Sequence, residues 1–178
     1  MARLVVLEAP SGLNFGIDTM CYTTGERFQG VRGIPAGLHF CHHGVGDGTE
    51  GFGGRHGFFF LVSSPSDVVV RKWDLATEDL VPPSTSLTEG SLAALGHAAL
   101  HGQLDANLGP YPVDQQDLWQ RLTAHVSESV LQRCALGLDV KVLPGVAGEE
   151  LDSDDEGEGA ATMLPFFAFV MVLSGNIW

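Results

Sequence analysis

The chain has 178 residues, 44% of them hydrophobic, and a formal charge of −13 from 22 acidic and 9 basic residues. The hydrophobic share is ample for a packed core and excludes wholesale disorder, and the length suits one domain with appendages or two small ones. The basic side chains are scattered from Arg3 to Lys141 with no cluster to neutralise a phosphate backbone, so no direct nucleic-acid binding is expected.

In chain order, Arg3 to Leu7 is a short Val/Leu run stopped by Pro10, Ser11 and Gly12. At four residues, its apolar stretch Leu4 to Leu7 is far too short for a signal-peptide core, so no export is expected. Further strands are expected at Leu38 to His42, Phe58 to Val62 and Asp67 to Trp73, the last with Val68 and Val70 on one face and Val69 and Arg71 on the other. The glycine-rich stretch from Gly44 to Gly57 reads as a hairpin loop or an insertion. Short strands at this spacing suggest a sandwich or a barrel rather than βαβ units.

The pattern changes after Pro82-Pro83. Ser86-x-x-Glu89 reads as a capping box, with Leu92, Leu95, Ala99, Leu100, Leu104 and Leu108 following at helical spacing until Gly109-Pro110 stops the helix. Pro112 suits the start of a second helix, whose stripe is Leu118, Leu122, Val126, Val130 and Leu131, with Trp119 beside it and Gly137 at its end. Residues 148–160 are acidic and glycine-rich and read as a disordered linker holding seven of the acids. Residues 161–178 are apolar nearly all round and read as a helix that needs burial from several sides.

Three cysteines, Cys21, Cys41 and Cys134, make an odd count without paired spacing, which points to a reducing compartment. His39, Cys41 and His43 alternate onto one strand face, with Cys21 and His56 elsewhere; these are zinc-capable side chains, but their spacing matches no usual structural zinc pattern. No metal or other cofactor is expected. The glycine-rich loop lacks a GK[ST] ending and a following helix, and no GxSxG elbow occurs, so neither a phosphate cradle nor a serine hydrolase is indicated. Asp18 and Asp74 suit turn or cap roles better than a carboxylate pair. No catalytic residue is assigned. Two other readings stay open: a tail-anchored membrane adaptor using residues 160–178, and a Cys/His metalloenzyme.

Several stretches together resemble the a1-alpha2 repression splicing-factor family of U5 snRNP assembly factors. The longest is FGIDTMCYTTGERFQGVRGIPAGLHF from Phe15 to Phe40, with its FGID start, G-x-x-F-x-G-V centre and IPxGxHF end. Gly57-Phe58-Phe59, Trp73, Leu108-Gly109-Pro110-Tyr111-Pro112, Trp119-x-x-Leu122-Thr123, and Phe167-Ala168-Phe169-Val170 with Gly175-Asn176 follow in family order. The resemblance implies a β-sandwich N-terminal domain followed by α-helices, α+β overall. Residues 1–83 would be the sandwich core, 84–147 linking helices and a closing segment of the same domain, and 161–178 a remnant of a largely missing C-terminal helical domain.

The resemblance also implies a non-catalytic role in the nucleus and cytoplasm. The chain would bind the large core protein of the U5 snRNP near its RNase H-like domain during snRNP maturation, delaying helicase docking. The motif residues Gly16, Asp18, Phe28, Gly30, Pro35, Gly37, His39, Trp73, Gly109, Tyr111 and Trp119 are then expected in structural or interface roles. His39 becomes a strand residue, Pro35 stiffens the approach to its strand, and the glycines at 16, 25, 30 and 37 suit positive φ or close backbone approach. Trp119 either packs a helix on the sheet or anchors an interface. Ser153, in LDSDDEGE, sits in an acidic-directed kinase context and is a candidate phosphosite.

Overall fold

The structure is a computed structural model, and it describes residues 1–44, 55–83, 87–134 and 136–143. Most of the Gly44 to Gly57 loop, Ser86, the acidic stretch with Ser153, and the apolar segment that carried the tail-anchor reading lie outside the described residues. Among the described residues, ten strands form two five-stranded sheets. The first holds β1 (Ala2–Leu7), β4 (Gly30–Ile34), β7 (Val68–Asp74), β8 (Asp79–Val81) and β9 (Gly109–Pro110) in the order β8-β7-β1-β4-β9. The second holds β2 (Asn14–Ile17), β3 (Met20–Thr23), β5 (Gly37–Gly44), β6 (His56–Val62) and β10 (Lys141–Val142) in the order β10-β6-β5-β2-β3. The expected β-sandwich followed by helices is the observed architecture.

Alternation along the strands explains the layering. On β6, Phe58, Phe60 and Val62 enter the core between the sheets with Leu4, Val6, Phe15, Ile17, Val31 and Trp73, while Phe59 turns outward. On β5, Cys41 joins that same core, and Phe40 joins Phe59 on the outer face. A period of two thus gives the second sheet two apolar faces, each needing a cover. The outer cover is α2 (Gln116–Leu122) and α3 (Glu128–Arg133), which bring Trp119 and Leu131 onto Phe40 and Phe59. Burying each such side chain contributes about 1.5–3 kcal/mol. The first helix, α1 (Glu89–Leu100), lies against β1 and β7 of the other sheet.

The helices differ from the sequence expectation in three ways. Thr88, not Ser86, is the N-cap of α1, its hydroxyl accepting from the Ser91 N–H at 3.2 Å, so the cap falls one residue before Glu89. That helix ends at Leu100 rather than at Gly109-Pro110. Gly102 takes a φ of 76° and its N–H returns to the Ala99 carbonyl, a left-handed stop that leaves Leu104 and Leu108 outside. The long second helix is instead a 3-10 turn at Val113–Gln115, then α2, then α3. The break falls where Thr123 turns its hydroxyl back to the Trp119 carbonyl, and Ser127 caps the restart through the Val130 N–H. Among the described residues no helix is long and apolar enough to cross a membrane.

Gly16, Gly30 and Gly57 are required by close approach, the last because a Cβ would stand 2.6 Å from the Cys41 carbonyl oxygen. A Cβ on Gly30, whose φ is 127°, would stand 1.9 Å from the Leu4 carbonyl oxygen, so β4 could not pair with β1. A Cβ on Gly16 would stand 2.0 Å from the His42 ring on the neighbouring strand. Gly25 has neither a positive φ nor a close neighbour, so the steric role expected for it is absent. Arg71, on the inner face of β7, is buried with its guanidinium 4.2 Å above the Phe58 ring and ion-paired to Asp139.

Candidate functional site

The motif residues converge most tightly at Asp18. It follows β2 with a φ of 54°, a left-handed conformation that Asp tolerates better than most residues. Its N–H donates to the Phe40 carbonyl at 2.7 Å, and its Oδ1 accepts from the Phe40 N–H at 2.9 Å, so the corner is stitched to β5. Oδ2 accepts the Tyr111 hydroxyl at 2.6 Å and lies 2.8 Å from His39 Nδ1. The other ring nitrogen of His39 is 3.0 Å from the Pro35 carbonyl. Residues from two motif stretches, Phe15–Phe40 and Leu108–Pro112, therefore meet at one buried carboxylate.

This arrangement dictates what the centre can do. A buried carboxylate is tolerable only when its lone pairs are filled, and here three groups fill them. An Asp–His pair can orient a base, but a base needs a nucleophile on its outer nitrogen. His39 faces a backbone carbonyl there, and both ring nitrogens are engaged. The Tyr111 phenol is pushed well up by burial, then by the Asp18 charge and the hydrogen bond it donates, so it holds its proton. The centre is a clasp between β2, β5 and the Tyr111 segment, closed to substrate.

The remaining motif residues fall into two groups. Trp119 is buried, and its indole N–H donates to the Leu38 carbonyl at 2.7 Å, which places it between helix and sheet rather than on an exposed interface. Trp73 is buried in the inter-sheet core, and Gly37 opens β5 with a φ of 136°. Phe28 and Gly109 instead edge an open cleft of about 480 Å³ between residues 25–28 and 106–109. Phe28 packs on Phe15 with ring centroids 4.9 Å apart, Gln29 bonds Asn107 through both backbone and side chain, and Glu26 and Arg27 stand exposed at the rim. This cleft joins two motif stretches at the surface.

The zinc-capable set suggested by spacing is dispersed. His39 is committed to Asp18 and Pro35, Cys41 is sealed in the core with its thiol pushed up by burial, and Cys21 is exposed on the edge strand β3. His42 stacks on Phe40, and burial, with the Arg55 and His43 charges, lowers it to about 4. A different set does meet: His43, His56 and Asp79, whose ligand atoms lie within 4.8 Å of one another. Sequence reading missed this set because Asp79 belongs to the other sheet. The β5–β6 pairing was a usable signal for two of the three, since it sets His43 opposite His56. Asp74 caps its own turn through the Ala76 N–H and the Thr77 hydroxyl, and it forms no carboxylate pair with Asp18.

Two sheets, a helical cover on the outer face of one, and motif residues spent on a closed clasp and an open cleft define a β-sandwich head. Comparison with known proteins agrees in detail. A family model for the AAR2 N-terminal domain matches residues 1–136. The human Protein AAR2 homolog is 36% identical over 135 residues, covering 74% of this chain and 34% of the human protein. The mouse homolog is 34% identical over 136 residues and the Caenorhabditis elegans homolog 28% over 135, each with those same shares. The chain belongs to the AAR2 family. Its match spans about a third of the length of these relatives.

Proposed function

We propose that the chain is a non-catalytic binding head that works with the splicing machinery in U5 snRNP assembly, engaging the large core U5 protein through its RNase H-like domain, in the nucleus and cytoplasm. The observation that carries this reading is the convergence of the family motif residues on the Asp18 clasp, a centre built to hold a shape. A protein whose motif residues maintain a surface acts by presenting that surface. The cleft between residues 25–28 and 106–109 is the part of it to which two motif stretches contribute directly.

The test is a pull-down of the RNase H-like domain with the full chain, at micromolar concentrations. Capture is expected, and the double substitution Glu26→Lys with Arg27→Glu weakens it by roughly tenfold, the loss typical of reversing rim and anchor charges. Both side chains are exposed, so the fold is retained. A well-folded chain that captures nothing overturns the reading, whereas undiminished capture by the variant moves the interface off the cleft.

A further inference from the structure

At one end of the sandwich, His43 and His56 face each other across the β5–β6 pair, and Asp79 reaches them from β8 of the opposite sheet. His43 Nε2 lies 2.8 Å from Asp79 Oδ1, and His56 Nδ1 lies 3.9 Å from the same oxygen. The three ligand atoms of a tetrahedral zinc keep roughly 3.3 Å from each other, given metal–ligand distances near 2 Å. The His43–Asp79 separation is shorter than that, the His56–Asp79 separation is longer, and all three lie within 4.8 Å, so the His56 ring must turn inward to close the set on one ion. We propose that His43, His56 and Asp79 bind a divalent transition metal of the zinc class, clamping the second sheet to the first.

The chemistry of the set fits such an ion. Two imidazoles and one carboxylate suit zinc and its neighbours and leave a fourth position for water. The side chains grade from 1% exposed at His43 through 10% at Asp79 to 25% at His56, which gives the ion an approach from the His56 side. Lys141 does not occupy the ligand oxygen. Its ammonium is 2.5 Å from Asp79 Oδ2, leaving Oδ1 to the histidines and orienting the carboxylate from behind, as an outer partner of a metal ligand does. The Leu80 N–H donates to Asp79 Oδ1 at 2.8 Å and lies 3.3 Å from His43 Nε2, while that nitrogen donates its own proton to the carboxylate at 2.8 Å, so a metal would take the place of this proton between the two ligand atoms. His43 Nδ1 has no hydrogen-bond partner, and a ligand histidine without one binds about 10–100-fold more weakly. The affinity expected is therefore moderate.

One rival pair of imidazoles exists: His97 on α1 and His101 just past its end, with ring centroids 4.1 Å apart and both exposed. The experiment separates the two. The purified full chain is stripped with chelator and titrated with Zn²⁺ by calorimetry, and with Co²⁺ by visible absorption. One equivalent is expected to bind and to raise the thermal midpoint by about 5 °C at saturating metal. His56→Ala, at a partly exposed position, weakens that event at least tenfold, as does Asp79→Asn. His97→Ala leaves it unchanged. Lys141→Met retains binding, because Oδ1 is untouched. Heat of binding at background level overturns the proposal, and so does binding that survives His56→Ala but is lost in His97→Ala.

Discussion

Asp18 accepts from a backbone amide and a phenol and meets an imidazole while holding a φ of 54°, so its removal strands several polar groups at once. Asp18→Ala leaves His39, the Phe40 N–H and the Tyr111 hydroxyl without their partner, a loss of about 3–5 kcal/mol for breaking a buried ionic centre. Tyr111→Phe deletes one hydrogen bond to a charged group and costs about 1.5–3 kcal/mol. Urea denaturation of both variants at neutral pH measures the two losses. Costs that come out equal would mean that the carboxylate does not organise the clasp. At this scale the sequence was partly legible. Asp18, Pro35, His39 and Tyr111 were visible as motif residues, but their separations along the chain gave no hint that they meet. A turn role was foreseeable for Asp18 from the GID context; its burial depends on β5, which only the folded sheet supplies.

Elements were legible in proportion to how apolar they are. Strands β1, β6 and β7 announce themselves as Val- or Phe-rich runs, and β5 shows through the run from Leu38 to His42. Strands β2, β3 and β4 lie within a stretch holding Gly16, Gly25, Gly30 and Gly33, where local propensity favours turns and the partner strands must override it. The helical stripe from Leu118 to Leu131 is real, yet a continuous stripe does not record the stop at Thr123, whose N–H and hydroxyl both return to the Trp119 carbonyl, or the new start that Ser127 caps. What holds α2 in place is Trp119, packed on Phe40 and Phe59 and bonded to the Leu38 carbonyl. Trp119→Ala costs about 3–5 kcal/mol by opening a cavity there, while Trp119→Phe keeps most of the packing and costs about 1 kcal/mol for the lost hydrogen bond. Hydrogen exchange at the amides of residues 116–122 reads the consequence directly. Protection should fall in Trp119→Ala while β1 and β7 remain protected; uniform loss across both sheets argues that α2 and the sandwich open as one unit.

For the whole molecule, charge decides how the fold responds to pH, and its alkaline limit can be derived. The chain already carries −13, so further anions raise the repulsion within the folded state. Burial, the Asp18 charge and the hydrogen bond donated to it all raise the Tyr111 phenol above its ordinary 10.0. Unfolding returns the phenol to that ordinary value. Above pH 10 the unfolded chain therefore releases a proton that the folded chain keeps, and stability falls as pH rises. Below pH 10 the contribution is fully present. The slope for one such group approaches 1.36 kcal/mol per pH unit. Tyr111→Phe has no proton to release, so its stability curve lacks this component. The variant is less stable than the parent at pH 8, and the gap should close by roughly 1 kcal/mol between pH 10 and 11. Parallel denaturation series at pH 8, 10 and 11 measure it. A gap that stays constant across the series would mean that the phenol ionises as readily in the fold as in the unfolded chain, and that the clasp between the sheets is open to water.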